Sequence, residues 1–142
     1  MVKKSIINQY LVAGKQLTLL SGKRPIIKDW VNTWVDNEVL YNHDGNIGWV
    51  LGVDDLVIDV DPRNGGDVSF RKLQKNCGII MKPTVCTPSG GFHVYLRLPK
   101  NVQGKRFRKI LKSYQGIDFL TRGSQCVIAG SVMQVGDYDW KE

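Results

Sequence analysis

Cysteine and histidine are scarce in this 142-residue chain, and the scarcity narrows the chemistry at once. Cys77, Cys86 and Cys126 are an odd number, far apart and without a C-x-x-C pair, which excludes a closed disulfide framework. They read as small buried hydrophobes in a reducing, cytoplasmic setting. The only histidines, His43 and His93, combine with them into no zinc-ligand spacing, so no zinc is expected. No stretch is long and apolar enough to span a membrane, and the polar residues after Lys3 and Lys4 leave no signal-peptide core. The G-x-x-x-x-G-K-[ST] phosphate loop is missing, as are internal repeats and low-complexity tracts. Acidic residues are also short, 13 against 20 lysines and arginines. The resulting net charge of +7 and pI near 9.4 suit a polyanionic partner, with nucleic acid or nucleotide foremost.

The length is that of one ordinary domain, and the whole of 1–142 is read as a single unit. A mildly apolar stretch from Ser5 to Leu20 meets a loop at Ser21-Gly22-Lys23-Arg24-Pro25. Trp30, Trp34, Val31, Val35 and Val39 recur at helical spacing behind Asp29 as N-cap, which predicts a helix over 30–41 with the tryptophans in the core. The runs 47–51 and 56–60, separated by Gly52-Val53-Asp54-Asp55, predict a hairpin. Asp67 as N-cap, Phe70, Leu73 and Cys77 at spacings of three and four, and Gly78 as a stop predict a helix over 68–77. A second hairpin is expected from 84–87 and 92–98 around Pro88-Ser89-Gly90-Gly91, with His93, Tyr95 and Arg97 on its polar face. Residues 100–114 carry Lys100, Lys105, Arg106, Arg108, Lys109 and Lys112 against Phe107, Ile110, Leu111 and Tyr114, the pattern of an amphipathic basic helix. A third strand-turn-strand unit is expected from 116–120 and 125–129 around Thr121-Arg122-Gly123-Ser124.

Within the second apolar run, Asp59 and Asp61 stand two apart in Leu56-Val57-Ile58-Asp59-Val60-Asp61, a spacing that puts both carboxylates on one face of a strand. Adjacent like charges on an apolar strand resist desolvation unless a cation compensates them. Hard oxygen donors suit magnesium or manganese, which keep positions open for water and phosphate oxygens. The same residues admit a plainer reading, in which one aspartate caps a turn and the other pairs with Arg63.

Three features follow one another along the chain: Asp59-x-Asp61, Ser89-Gly90-Gly91-Phe92-His93, and Gly116-Ile117-Asp118. Together with Gly22-Lys23-Arg24-Pro25, Asn46-Ile47-Gly48, Asp61-Pro62-Arg63-Asn64-Gly65-Gly66 and a closing Tyr138-x-Trp140, they resemble the archaeo-eukaryotic primase superfamily, in particular its bifunctional primase/polymerase domain. The resemblance implies an α+β fold, with a small N-terminal αβ unit packed on an RRM-like antiparallel sheet and the active site between them. It implies template-directed nucleotidyl transfer in plasmid, phage or mobile-element replication. The partners would be single-stranded template, primer, nucleoside triphosphates, and a helicase or helical accessory domain of a larger replication protein. Asp59, Asp61 and Asp118 would hold two magnesium or manganese ions, and His93 would contact the nucleotide's phosphates. Ser89 and the backbone of Gly90 and Gly91 are further phosphate candidates, with Arg122 and Lys23 as lesser ones. Arg63 serves either a phosphate or the aspartates. Lys105, Arg106, Arg108, Lys109 and Lys112 are expected on a nucleic-acid backbone, without base readout. Where relatives carry proline and small residues after the last motif's strand, this chain has Ala129-Gly130-Ser131. Two rival classes share some of these features: a metal-dependent nuclease or phosphodiesterase, which would use the carboxylates without a triphosphate, and a non-catalytic single-strand-binding module.

Overall fold

In the run Asp55–Val60, Val57 is fully buried while Ile58 and Val60 on the opposite side are nearly so. Successive side chains of a strand face opposite ways, so this one needs apolar cover on both faces. The computed structural model, which describes residues 1–105 and 107–142, supplies it with a second sheet on one side and a helix on the other. In chain order the elements are α1 (Lys4–Val12), β1 (Gln16–Ser21), β2 (Arg24–Pro25), α2 (Asn37–Tyr41), β3 (Asn46–Val50), β4 (Asp55–Val60), α3 (Gly66–Cys77), β5 (Val85–Cys86), β6 (Phe92–Arg97), β7 (Ile117–Leu120), β8 (Gln125–Val127), β9 (Val132–Met133), β10 (Gly136–Asp137) and β11 (Asp139–Trp140).

Every strand pairing is antiparallel. One sheet has the order β2-β1-β3-β8, the other β11-β5-β6-β4-β7, and β9 and β10 form a small ribbon. The fold is therefore α+β with antiparallel sheets. One apolar cluster joins Ile7 and Tyr10 of α1 and Leu40 of α2 to Leu17, Ile47 and Trp49 of the first sheet and Val57 and Leu120 of the second. A separate cluster sets Phe70 and Leu73 of α3 against Ile58, Val60, Val94 and Ile117. Helix α3 ends at Gly78, whose φ of +67° is the left-handed stop the sequence predicts. Its start lies slightly earlier than expected, with left-handed Gly65 at the N-cap and Asp67 inside the first turn.

Two of the three expected hairpins are instead crossings between the sheets. β3 belongs to the first sheet and β4 to the second; β7 and β8 divide the same way. The two connections satisfy each other's backbone rather than closing their own ladders: Leu51 N–H donates to Ser124 O (2.9 Å) and Gly123 N–H to Leu51 O (3.4 Å). The Asp55 carboxylate accepts from Gly52 N–H at 2.7 Å, which shapes the first crossing. Only β5 and β6 pair as the sequence suggests, and β11 closes that edge through the Tyr138-x-Trp140 segment.

Two expected helices are also revised. Only Asn37–Tyr41 of the 30–41 segment is helical. Asp29 is left-handed (φ +53°) rather than an N-cap, and Gln16 Nε2 donates to the carbonyls of Trp30, Val31 and Thr33, holding the stretch as a loop. Trp34 is consequently 67% exposed and Trp30 only half-buried. Among the described residues of the basic segment the sole regular element is a 3-10 turn at Lys100–Val102. Of its expected apolar face, Phe107 and Ile110 are exposed while Leu111 and Tyr114 are half-buried, with Tyr114 against the α3 cluster, so no continuous helical face is covered and little stabilises a short helix there. Ile110 bridges to Asp118 instead, and Phe119 N–H donates to Lys109 O at 2.7 Å. Arg106 lies outside the described residues. Among the cysteines only Cys126 is buried; Cys77 is exposed at the end of α3.

Candidate active site

The strand order β6-β4-β7 places three side chains in one row. Asp59 of β4 is the register partner of His93 on β6 and of Asp118 on β7. Directly opposed residues in antiparallel strands have Cβ atoms about 5 Å apart, close enough for their charges to act on each other. His93 Nε2 lies 3.5 Å from Asp59 Oδ1, and Lys109 Nζ lies 3.8 Å from Asp118 Oδ2 on the far side. The imidazole is buried, whereas the side chains of Asp59 and Asp118 keep 36% and 40% of their surface, so the row opens towards its acidic end.

Burial first, then the charge of Asp118, pushes the Asp59 carboxyl up to about 6, against the pull of Lys23. Burial and Lys23 push His93 down to about 4. At neutral pH the row therefore carries anionic Asp59 beside a neutral imidazole. The two shifts oppose each other in stability. A carboxyl whose pKa rises on folding stabilises the fold below its unfolded value and loses that contribution as pH climbs from about 4 to about 6. A histidine whose pKa falls on folding does the reverse, destabilising the fold as pH drops from about 6.5 to about 4. Thermal melts in chelator over this window are expected to tilt upward with pH in Asp59→Asn relative to the parent, and downward in His93→Gln. Parallel profiles for all three proteins would contradict the assigned shifts.

Asp61 departs from the row. It caps the 3-10 turn Pro62–Asn64: Oδ1 accepts from the Arg63 backbone N–H and from Arg63 Nε (3.0 and 3.1 Å), and Oδ2 from Arg63 Nη2 and Asn64 Nδ2 (3.2 and 2.9 Å). These hydrogen bonds, led by the Arg63 side chain, hold its carboxyl below the usual range. The turn cap and the Arg63 pairing of the plainer reading thus both fall to Asp61, while Asp59 faces Asp118 across the strands. Among the described residues no three His, Cys, Asp or Glu side chains are gathered closely enough to hold a metal ion.

Two small adjoining cavities meet at the row. One, about 150 Å³, is lined by Asp61, Arg63, Thr87 and Ser89 as well as Asp59 and His93. The other, about 140 Å³, holds Asp118, Lys109 and Cys126. Lys23 and Tyr138 border both. A model of the bifunctional DNA primase/polymerase N-terminal domain matches residues 10–142. The chain belongs to that family. No curated protein matches it.

Within the primase/polymerase framework the expected residues sort into four groups. His93, Asp59, Asp118, Lys23, Ser89, Arg63 and Asp61 converge on the two cavities. Lys23 sits in the β1–β2 turn and reaches the row from the other sheet, which makes it more central than its sequence context suggests. Gly90 and Gly91 serve the turn itself. Gly90 N–H donates to Thr87 O, and a Cβ on Gly91 would lie 2.2 Å from Val60 O, so this glycine exists for a close backbone approach. Lys105, Lys109 and Arg122 gather in a separate neighbouring hollow. Arg108 and Lys112 are exposed nearby in sequence but are not among its lining residues.

Sequence reasoning missed Tyr138 and Cys126 as neighbours of the centre. The Tyr138 ring lies 5.9 Å from the imidazole, and burial followed by the charge of Asp59 raises its phenol to about 12. Cys126 Sγ is 4.0 Å from His93 Nδ1. Cys126 reaches the site from β8 and Tyr138 from the residue between β10 and β11, both far along the chain from His93, so no local spacing places them beside it. The polar face of β6 is likewise only partly available: His93 borders the cavities, while Tyr95 packs edge-on against Trp49 and hydrogen-bonds Tyr10 at 2.6 Å. No helix among the described residues is long and apolar enough to cross a membrane.

Proposed function

We propose that the protein catalyses template-directed, divalent-metal-dependent nucleotidyl transfer, extending or initiating strands as a DNA primase, DNA polymerase or both. The observation that carries this reading is the His93–Asp59–Asp118 row, with Lys23 leaning over it inside a family whose described activity is primase/polymerase. Two neighbouring carboxylates, one pushed towards protonation by burial and by the other, are a donor set whose repulsion a magnesium or manganese ion would relieve. Asp59 and Asp118 would hold such ions, and Asp61 would join them if Arg63 releases it. Bound there, the metal would supply electrostatic stabilisation of the charge that develops on the transferring phosphoryl group.

The chain's own residues bind and orient. Neutral His93 donates a hydrogen bond to a phosphate oxygen without needing protonation, Lys23 adds positive charge from the opposite sheet, and Ser89 offers its hydroxyl from the turn. Arg63, which lines the cavity, would be free to neutralise a triphosphate oxygen if Asp61 helped to hold the metal. In the reaction the primer 3′-hydroxyl gives up its proton to solvent as its oxygen bonds to the α-phosphorus, the α–β phosphoanhydride bond breaks, and pyrophosphate leaves. The setting is replication of a plasmid, phage or mobile element in a cytoplasm, alongside a helicase or helical accessory domain.

The test is incorporation of labelled nucleotides on a single-stranded template, with and without an annealed primer, in magnesium, manganese or chelator. Elongated products that vanish in chelator are expected, and products without primer would add strand initiation. Template degradation in place of elongation would assign the carboxylates to hydrolysis. Template binding alone would remove the catalytic reading.

A further inference from the structure

Next to the catalytic row lies a hollow of about 350 Å³ lined by Lys105, Phe107, Lys109, Phe119, Arg122 and the loop 121–124. Its charge is one-sided. From Leu98 to Arg122 the sequence holds seven lysines and arginines, and Asp118 is its only acid. Phe107, 42% exposed, offers an apolar ring at the rim of this cationic surface. Lys109 is held in place by backbone: Phe119 N–H donates to its carbonyl, and the adjoining Ile110 bridges to Asp118. The same lysine lines the cavity that contains Asp59 and Asp118, so hollow and catalytic row are continuous through it.

Lysine and arginine in such excess, with Asp118 near Lys109 as the one acid among them and an exposed aromatic beside them, are what a flexible polynucleotide strand requires: cations follow the phosphates and the ring stacks on an unpaired base. We propose that this hollow is the track along which the unpaired template strand enters, with Arg122 and Lys105 on its phosphates and Phe107 stacked on one of its bases. This assigns Arg122 to the strand rather than to the incoming triphosphate. The inference rests on the nucleotidyl-transfer reading for naming the strand a template, but the binding it describes needs neither nucleotide nor metal.

Fluorescence anisotropy with a labelled oligothymidylate, in chelator and without nucleotide, tests it separately from activity. Both side chains are exposed, so their removal leaves the cores untouched. Phe107→Ala is expected to weaken single-strand binding by about tenfold, the loss of one stacked base, with little change in the salt dependence and none for a blunt duplex. Arg122→Ala is expected to weaken it several-fold and to reduce the slope of log affinity against log salt by about one. Parent-like single-strand affinity in both variants would overturn the proposal. So would an Arg122→Ala protein that binds the oligonucleotide normally but shows a raised nucleotide KM, which would return that arginine to the triphosphate. Altered strand binding in a protein that fails to incorporate nucleotides would leave the track standing and remove the catalytic reading instead.

Discussion

Replacing Asp59 by asparagine is expected to lower nucleotide incorporation by about 10³-fold or more while raising the melting temperature of the nucleotide-free, metal-free protein at pH 7. The two effects have one cause. Asp59 is held anionic at neutral pH although burial and the facing Asp118 push its carboxyl up to about 6. Asparagine keeps the size of the side chain and removes the charge, so the fold is relieved of an unfavourable anion between two strands. The loss in rate follows because the central member of the row disappears, and groups that stabilise developing charge in a closed site are commonly worth about 10²–10³ each. Primer extension and calorimetry on the same preparation check both halves. Incorporation within about tenfold of the parent would exclude Asp59 from the reaction, and a lowered melting temperature would mean that its carboxylate is structural. A side chain that is costly to the fold and indispensable to the rate is the usual signature of a functional position.

The second large effect concerns Gly116, which carries no reactive group. It adopts φ +82°, and a Cβ there would lie 2.4 Å from Gly66 N, 2.7 Å from Gly66 Cα and 2.8 Å from Asn64 O, all backbone atoms that cannot swing aside. Gly66 meets it from the other side, since a Cβ on Gly66 would lie 2.5 Å from Gly116 O. The two glycines allow three pieces of chain to touch: the turn capped by Asp61, the start of α3 and the entry to β7. Asp61 N–H donates to Gly116 O at 2.8 Å and Gly66 N–H to Asp61 O at 2.9 Å, which ties them together. Left-handed strain and overpacking together are expected to make Gly116→Ala about 3–5 kcal/mol less stable, a large fraction of a typical domain's stability. Gly123→Ala is the matched control, with φ +89° and no atom within 4 Å of its would-be Cβ, and should lose only about 1 kcal/mol. Denaturant midpoints measure the difference. Equal losses in the two variants would show that the backbone contact between β7 and α3 adjusts freely. Because Gly116 stands two residues before Asp118, the variant is also expected to lose incorporation beyond what its folded fraction explains.

Most of the elements around the row, and the identity of the residues that meet there, are legible in the sequence alone. Val57, Ile58 and Val60 mark a strand buried on both faces, Phe70, Leu73 and Gly78 mark a helix and its end, and Pro88 to Gly91 mark the turn that brings His93 to the start of β6. These signals are local, set by side-chain period and by residues with restricted or permissive backbones. Partnership between strands is not local. A four-residue gap between two apolar runs looks the same whether the chain doubles back or passes to another sheet, so β3–β4 and β7–β8 read as hairpins although each joins two sheets. Helical spacing likewise says nothing about whether a surface exists to receive the apolar face, and at Phe107 and Ile110 none does. That β4 lies between β6 and β7 is a property of the folded chain, and that order alone sets Asp59 between His93 and Asp118. Folding also brought Lys23 and Tyr138 over the row, because contacts between residues far apart in the chain are fixed by how the sheets close on each other and not by any spacing along it.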